Sequence, residues 1–435
     1  MLFLMNLQSF VGPAPWPRQL TTLAAFLVPA LAVTVASGYS YGALLLLLGA
    51  LASLPHWITR KPELRSVVLG VLMVGMGSFW FILAYPESGW NQWDRPMKFY
   101  LAAVCLMFLV ACPPRPSASF WGLLVGCVGA GGVALWQVWV EGQPRASGFP
   151  SGRTNAIQWG NLVLLLGVML AAQLMALRKQ LNPWVIAIGA LATAGTLNAS
   201  VLSQSRGGWL ALLMALPLGL WFVLRFNRRM LGSVIVAVTV AVLAVGVANR
   251  HVLEERWQIM QTEVQEYQAQ RSADSSVGQR LEHWRFAWDL GWERPVFGWT
   301  TTQYIEEKTK RVAAGLYQPA ITEYVYVHNE VLDVFVKAGL VGVVWLFALY
   351  FWPIYLLWPS KRRMEAFKGQ PAAWQAQWLA MRVAGLCVPV LYIGFGLTQV
   401  FFAHNSGIMG YLFLTMLQWA AVVGMERDVV RPPAA

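Results

Sequence analysis

Long apolar runs alternate with short polar segments along most of the 435 residues of the chain. A helix needs about 20 predominantly apolar residues to cross the hydrocarbon core of a bilayer. By that measure the pattern predicts an all-α polytopic membrane protein with about twelve transmembrane helices, at residues 19–37, 39–54, 66–85, 98–112, 119–140, 159–177, 184–202, 207–224, 230–248, 339–358, 378–398 and 405–423.

The polar segment at residues 249–327 is an exception, because it is far longer than a passive connection between spans. Within it, residues 253–271 predict a polar helix and residues 278–292 an amphipathic helix, which Pro295 ends. The many aromatic side chains of this segment argue against disorder. We therefore expect a large, partly helical loop outside the membrane.

These features divide the chain into three parts. They are residues 1–248 with the first nine spans, residues 249–327 as a loop subdomain, and residues 328–435 with the last three spans and a C-terminal tail. The loop is expected to be tethered only at its two ends.

Composition supports the membrane assignment, because 57% of the residues are hydrophobic and only 12% are charged, whereas soluble domains average about 25% charged residues. The net charge of +12 would suit nucleic acid. However, the cations lie mostly in short loops between apolar runs, so we expect a lipid bilayer and no nucleic acid as the partner.

The distribution of Lys and Arg predicts the orientation, because short cytoplasmic loops carry an excess of these residues. One face receives Arg18, Arg60, Lys61, Arg65, Arg115, Arg178, Lys179, Arg225, Arg228, Arg229, Lys361, Arg362, Arg363, Lys368, Arg427 and Arg431. The short loops of the other face hold only Arg95, Lys98, Arg145, Arg153 and Arg206. This predicts both termini in the cytoplasm and residues 249–327 on the outside.

The few cations of the outer face are candidates for anion binding. Arg206 begins a span in SQSRGGWLALL, where Gly207 and Gly208 leave room for a bulky partner or for close helix packing. A guanidinium there can clamp a diphosphate with two hydrogen bonds. The alternative is an arginine that snorkels to lipid headgroups.

Three further arginines have their own alternatives. Arg145 and Arg153 lie in a Gly/Pro/Ser-rich loop, where a solvated charge would be an equally ordinary role. Arg280 heads the amphipathic loop helix, where a surface salt bridge with Glu282 or a neighbouring residue is the competing interpretation.

His328 stands out among the five histidines, because it opens a span and Glu330 and Asp333 follow closely. A nearby carboxylate can orient or tune an imidazole, although a histidine at a helix start is more often structural. The chain has no Asp-x-Asp pair, H-x-x-x-H, C-x-x-C or Walker motif. The sequence therefore predicts no metal, no cofactor and no nucleotide hydrolysis.

The spacing after His328 is similar to that of a known family, the bacterial O-antigen ligases of the O-antigen ligase/polymerase superfamily. The ligase pattern is His, then Asn, Ser or Gln, nine residues, Gly, two residues, and Gly, Thr or Tyr. His328, Asn329, Gly339 and Gly342 fit it at every fixed position. These proteins are polytopic glycosyltransferases of the GT-C type, in which a long periplasmic loop precedes a catalytic histidine.

Other stretches extend the resemblance over nearly the whole chain. Arg206 in SQSRGGW resembles the family's arginine at a span end, and residues 145–149 resemble its Arg-x-Ser-Gly-Phe. The stretch from Arg280 to Gly298 resembles its pattern of arginine, aromatics, proline and glycine, but Trp299 replaces the usual second glycine.

The resemblance implies transfer of O-polysaccharide from undecaprenyl diphosphate to a sugar hydroxyl of lipid A–core, at the periplasmic face of the bacterial inner membrane, in lipopolysaccharide biosynthesis. It implies His328 as the base, with Arg206 and Arg280 stabilising the diphosphate in a metal-independent, inverting reaction. The expected substrate-binding residues are Arg145, Arg153, Arg206, Arg280 and Asn329.

Three alternatives remain open. An O-antigen polymerase of the same superfamily would transfer the same donor to another lipid-linked glycan, and a protein O-oligosaccharyltransferase is a further enzyme of that superfamily. A lipid-linked sugar flippase or other transporter fits the span count, but it explains neither the folded loop nor the spacing after His328.

Overall fold

The structure is a computed structural model that describes residues 15–84, 93–148, 155–226, 228–270 and 273–430. Within these ranges the protein is all-helical, without strands. The α-helices are α1 Trp16–Leu31, α2 Tyr39–Ala52, α3 Leu54–Trp57, α4 Leu64–Ala84, α5 Asp94–Ala111, α6 Pro116–Leu135, α7 Ala156–Leu177, α8 Pro183–Leu202, α9 Arg206–Phe226, α10 Leu231–Ala248, α11 Arg250–Gln270, α12 Ser276–Glu293, α13 Thr301–Ala313, α14 Glu330–Leu357, α15 Lys361–Ala366, α16 Ala372–Gly396 and α17 Asn405–Val430.

Eight helical segments in the described part of the chain are long and apolar enough to cross a membrane. They are Leu64–Leu83, Pro116–Val140, Ala156–Leu177, Pro183–Leu202, Arg206–Phe226, Glu330–Ala366, Ala372–Gly396 and Asn405–Val430. The polytopic, all-α prediction is therefore supported, but the number twelve is not confirmed.

The other four predicted spans are helical, but they are not among these eight segments. Helices α1 and α2 have 16 and 14 residues. Helix α5 carries Asp94, Arg95 and Lys98 in its first turns. Helix α10 has 18 residues, which include the apolar stretch Val238–Ala248.

The bundle is built around α17, whose most apolar stretch is completely buried, and around α16 and α7, which are mostly buried. Polar side chains link these helices to their neighbours: the hydroxyl of Tyr411 donates to the carbonyl of Leu349 over 2.6 Å, and that of Tyr392 donates to the carbonyl of Gly407 over 2.7 Å. The core is thus formed by the C-terminal spans packed against α7.

The long loop contains the two predicted helices, as α11 and α12, and a third helix, α13, that was not predicted. A second small core lies here, where Phe286, Leu290 and Tyr304 pack with Ile321, Val327 and Val336 of α14. Val336 belongs to the span that follows the loop, so the loop subdomain and α14 share one core.

A tight turn at residues 295–299 packs into a kink of α14 at Gly339. There the backbone of Gly339 (φ 64°, ψ −165°) adopts a conformation reached almost only by glycine. A Cβ atom on Gly339 would lie 2.2 Å from the Val296 carbonyl oxygen, and one on Gly298 would lie 2.5 Å from the Lys337 carbonyl carbon. Both glycines are therefore required by close approach of the two backbones.

Three backbone hydrogen bonds join this turn to the kink. The Trp299 amide donates to the Val336 carbonyl over 2.8 Å, and the amides of Leu340 and Val341 donate to the carbonyls of Pro295 and Val296 over 2.7 and 3.3 Å. The expectation that the loop is tethered only at its ends was wrong, because this turn supplies partners to helix groups that the kink frees.

Candidate active site

The N-terminus of α14 is organised by the residue that caps it and by a carboxylate in its first turn. Asn329 caps it, since its Oδ1 accepts from the Leu332 amide over 3.1 Å. Asp333 Oδ1 accepts from the Val327 amide over 3.1 Å and from Lys337 Nζ over 2.7 Å. The buried Asp333–Lys337 pair therefore fixes the backbone that leads into His328.

His328 itself has a left-handed backbone (φ 57°), which is uncommon for residues other than glycine. Its Nδ1 lies 2.8 Å from Oε1 of Gln399. The rings of His283 and Tyr324 stand edge-on to it, with centroids 5.9 and 5.2 Å away. Burial lowers the pKa of His328 below the usual 6.5, so the ring is neutral near pH 7 and can accept a proton.

Arg280 lies in the second turn of α12, half-buried, within electrostatic range of both His328 and Arg206. Burial first, and then the charge of Arg206, lower the pKa of Arg280. Among the described ion pairs Arg280 has none with Glu282, whose Oε1 binds Arg285 Nη2 over 2.6 Å. An anion between Arg206 and Arg280 would relieve their mutual repulsion.

Arg206 begins α9 beside the segment that carries Gln399. A Cβ atom on Gly207 would lie 2.1 Å from Thr398 Oγ1, so Gly207 serves close packing rather than leaving space for a ligand. Arg206 Nη2 lies 3.6 Å from Glu263 Oε2 of α11, while its buried Nη1 has no hydrogen-bond partner in the described part of the chain. The Nη1 group of Arg206 is therefore a hydrogen-bond donor that a ligand could satisfy.

The remaining predicted binding residues are placed differently. Arg145 donates through Nε and Nη2 to the Ser203 carbonyl over 3.1 and 2.8 Å, and so satisfies the C-terminal end of α8. Both polar atoms of the Asn329 side chain are occupied: Oδ1 accepts the helix-capping hydrogen bond, and Nδ2 donates to the Leu397 carbonyl. Arg153 lies outside the described residues.

Three neighbours of the site were not predicted as functional residues: Gln399, Glu263 and His283. His283 is fully buried on α12, and neither ring nitrogen has a partner in the described ranges. Burial lowers its pKa to about 3, so it stays neutral. Only His283 carried a signal in the sequence, since it lies three residues after Arg280 on the predicted amphipathic helix.

The arrangement brings a neutral histidine and two arginines to one end of the helical bundle. It can accept a proton from a hydroxyl and stabilise a diphosphate leaving group. Among the residues that the structure describes, no group of three or more His, Cys, Asp or Glu side chains is positioned to hold a metal ion. Metal independence itself remains a prediction.

The fold and this site define a multi-pass helical membrane protein whose charged residues converge where a loop subdomain meets the bundle. Residues 188–347 match the model of the family described as O-antigen ligase, and this region includes Arg206, Arg280 and His328. The match confirms the resemblance of this part of the chain to the O-antigen ligase family and supports an enzyme of the glycosyltransferase type.

Similarity outside that region comes from a bacterial relative. An uncharacterised protein of Haemophilus influenzae is 23% identical over 391 residues, which cover 88% of this chain and 93% of the relative. The similarity therefore extends along both chains.

Proposed function

We propose that the protein is an O-antigen ligase that transfers O-polysaccharide from undecaprenyl diphosphate to a hydroxyl of lipid A–core at the periplasmic face of the inner membrane. The main support is that Arg280 lies in electrostatic range of both Arg206 and His328. In this proposal one region of the protein supplies the base for the acceptor hydroxyl, His328, and two cationic side chains for the diphosphate of the donor, Arg206 and Arg280.

In the proposed reaction the neutral ring of His328 takes the proton of the acceptor hydroxyl. The hydroxyl oxygen attacks the anomeric carbon of the donor, and the bond from that carbon to the diphosphate oxygen breaks with its electron pair on the diphosphate. Arg206 and Arg280 stabilise the charge that develops there. Attack opposite to the leaving group inverts the anomeric configuration.

The test is transfer in vitro from a purified undecaprenyl-diphosphate glycan to purified lipid A–core, with the full-length protein in lipid nanodiscs. The expected product is polysaccharide on lipid A–core, with undecaprenyl diphosphate released. Lengthened undecaprenyl-linked chains would indicate a polymerase, and glycan on a protein acceptor would indicate a protein O-oligosaccharyltransferase. Unmodified donor moved across a proteoliposome bilayer would indicate a transporter.

A further inference from the structure

Three consecutive residues at the start of α14 all bind one segment, residues 397–402, which follows α16. His328 Nδ1 meets Gln399 Oε1 at 2.8 Å, and Asn329 Nδ2 donates to the Leu397 carbonyl over 3.3 Å. Glu330 Oε2 accepts from the amides of Phe401 and Phe402 over 2.6 and 3.1 Å. The position of Gln399 relative to His328 is therefore held by contacts on both sides of it in the chain.

The geometry determines which nitrogen of His328 is free. Gln399 is 4% exposed, and its amide oxygen can only accept, so the Nδ1–H of His328 donates to it. A neutral imidazole has a hydrogen on only one of its two nitrogens, so Nε2 keeps its lone pair and can accept a proton. The edge-on rings of His283 and Tyr324 restrict rotation of the imidazole out of this arrangement.

We propose that Gln399 is a positioning residue for the transfer reaction, which accepts the Nδ1–H hydrogen bond of His328 and so presents Nε2 to the acceptor hydroxyl. The inference rests on the proposed function, in which His328 is the base. Gln399 does not touch the substrate. When the acceptor O–H bond breaks, its proton goes to Nε2, and the same proton later leaves from Nε2 because an amide oxygen does not take up the Nδ1 proton.

A neutral partner orients the ring without stabilising its charged form as strongly as a carboxylate would. That choice suits a base that must be neutral when the acceptor arrives. The other charged or titratable groups that face His328 are Arg280 and His283 on α12, Lys308 on α13, Tyr324 in the segment that leads into α14, Asp333 on α14 and His404 before α17.

The experiment measures kcat, KM for the donor and the pH profile of transfer for Gln399→Leu and Gln399→Glu. Gln399→Leu should lower kcat by about 10–100-fold, the usual range for residues that orient a functional histidine, and leave KM within about twofold. Gln399→Glu should retain more activity than Gln399→Leu. It should also shift the acid limb of the profile to higher pH, because a carboxylate on Nδ1 raises the pKa of His328.

Gln418→Leu is the matched control, because Gln418 is also a buried glutamine but binds Ser119 within the bundle. An equal kcat loss in Gln418→Leu, wild-type kcat in Gln399→Leu, or an unshifted acid limb in Gln399→Glu would each overturn the positioning role. His328→Ala separates the two proposals. If it is active, the base assignment and the positioning role both fail, whereas if it is inactive and both Gln399 variants behave as wild type, only the positioning role fails.

Discussion

The left-handed backbone of His328 is a local strain that the surrounding contacts must hold in place. Such conformations cost of order 1–3 kcal/mol and persist where the neighbouring structure fixes them. Here α14 begins directly after His328, with Asn329 as its N-cap, and Gln399 accepts a hydrogen bond from the His328 ring. In this conformation the ring of His328 contacts Gln399, in the segment beyond α16.

Replacing the proposed base gives the first test at this scale. His328→Ala should lower kcat by about 10²–10⁴-fold, the usual effect of losing a general base, without reducing donor binding. In the wild-type protein, kcat/KM should fall only as the pH drops below the ordinary histidine value of 6.5, because burial lowers the pKa and the neutral ring is the active form. His56→Ala, an exposed histidine elsewhere, should have wild-type kinetics.

The two arginines test the diphosphate clamp. Arg206→Lys and Arg280→Lys should each reduce activity, since an ammonium does not reproduce the planar fork of a guanidinium. Alanine at either position should cost more, about 10²–10³-fold. Arg178→Ala serves as the control, because that side chain binds only the Met175 carbonyl among the described contacts. Equal losses in the control would indicate a folding effect.

The sequence identifies the residues that lie on a recognisable spacing but not those that complete the site by folding. His328, Arg206 and Arg280 could be proposed from the sequence because each belongs to a local pattern, and their roles stay predictions. Gln399 could not, because it is 71 residues from His328 and lies in a stretch without periodicity. Glu263 is one of several acidic residues on a polar helix, and only the fold selects it as the partner of Arg206.

At the scale of elements, α11 places an acidic side chain where the proposed clamp would hold its anion. Glu263 Oε2 is buried without a hydrogen bond from the described residues and faces Arg206 at a distance of 3.6 Å. Its charge also acts on Arg280. A donor diphosphate between the two arginines would therefore compete with Glu263.

Removing the charge of Glu263 should strengthen binding of the diphosphate group. Glu263→Gln should bind undecaprenyl diphosphate more tightly than the wild-type protein, by about 3–10-fold if the lost competition is worth roughly 1 kcal/mol, as for a partly exposed ion pair. Titration of nanodisc-embedded protein measures this. Glu266→Gln, on the same helix but exposed, should leave the affinity unchanged, and weaker binding by Glu263→Gln would contradict the competition.

The turn at residues 295–299, which packs into the kink of α14, gives a second prediction at this scale. Gly298→Ala should lower the melting temperature and the yield of folded protein, because a Cβ atom there would collide with the backbone of α14. Gly315→Ala is the matched control: Gly315 has a similar positive φ of 71°, but a Cβ atom on it would meet nothing within 4 Å. If both variants are equally destabilised, backbone strain alone explains the loss and the close contact with α14 does not contribute.

The helices that the sequence predicts correctly are mainly those with a clear pattern of apolar residues. The polar and amphipathic loop helices were placed within a few residues of α11 and α12. Helix α13 was missed because its sequence, TTQYIEEKTKRVA, is mostly polar, and its burial depends on Tyr304 and Lys308. Helix α1 ends at Leu31 rather than continuing to residue 37, because the chain turns there and Ser37 has a positive φ of 53°.

At the scale of the whole molecule, two arginines that the charge pattern assigns to different faces lie at opposite ends of the bundle. Arg427 Nη1 donates to the carbonyls of Val110 and Ala111 at one end. At the other, Arg95 Nη2 donates to the Tyr326 hydroxyl in the loop subdomain over 2.9 Å. Which end faces the cytoplasm remains a prediction of the charge distribution.

Cysteine labelling in intact cells would test this orientation. The native cysteines Cys105, Cys112, Cys127 and Cys387 are all buried, which keeps the background low. Gly315→Cys in the loop should react with a membrane-impermeant maleimide once the outer membrane is permeabilised. Gly369→Cys, exposed between α15 and α16, should react only after the inner membrane is disrupted. The opposite pattern would invert the topology.

The contacts between residues 328–330 and 397–402 affect how related sequences can be recognised. The region that matches the ligase family ends at residue 347, whereas the partner of His328 Nδ1 lies beyond it, at Gln399. A gene fragment truncated after the motif would still match the family, yet its histidine would lack this partner. An inventory of such enzymes in genomes should therefore require the C-terminal spans as well as the motif.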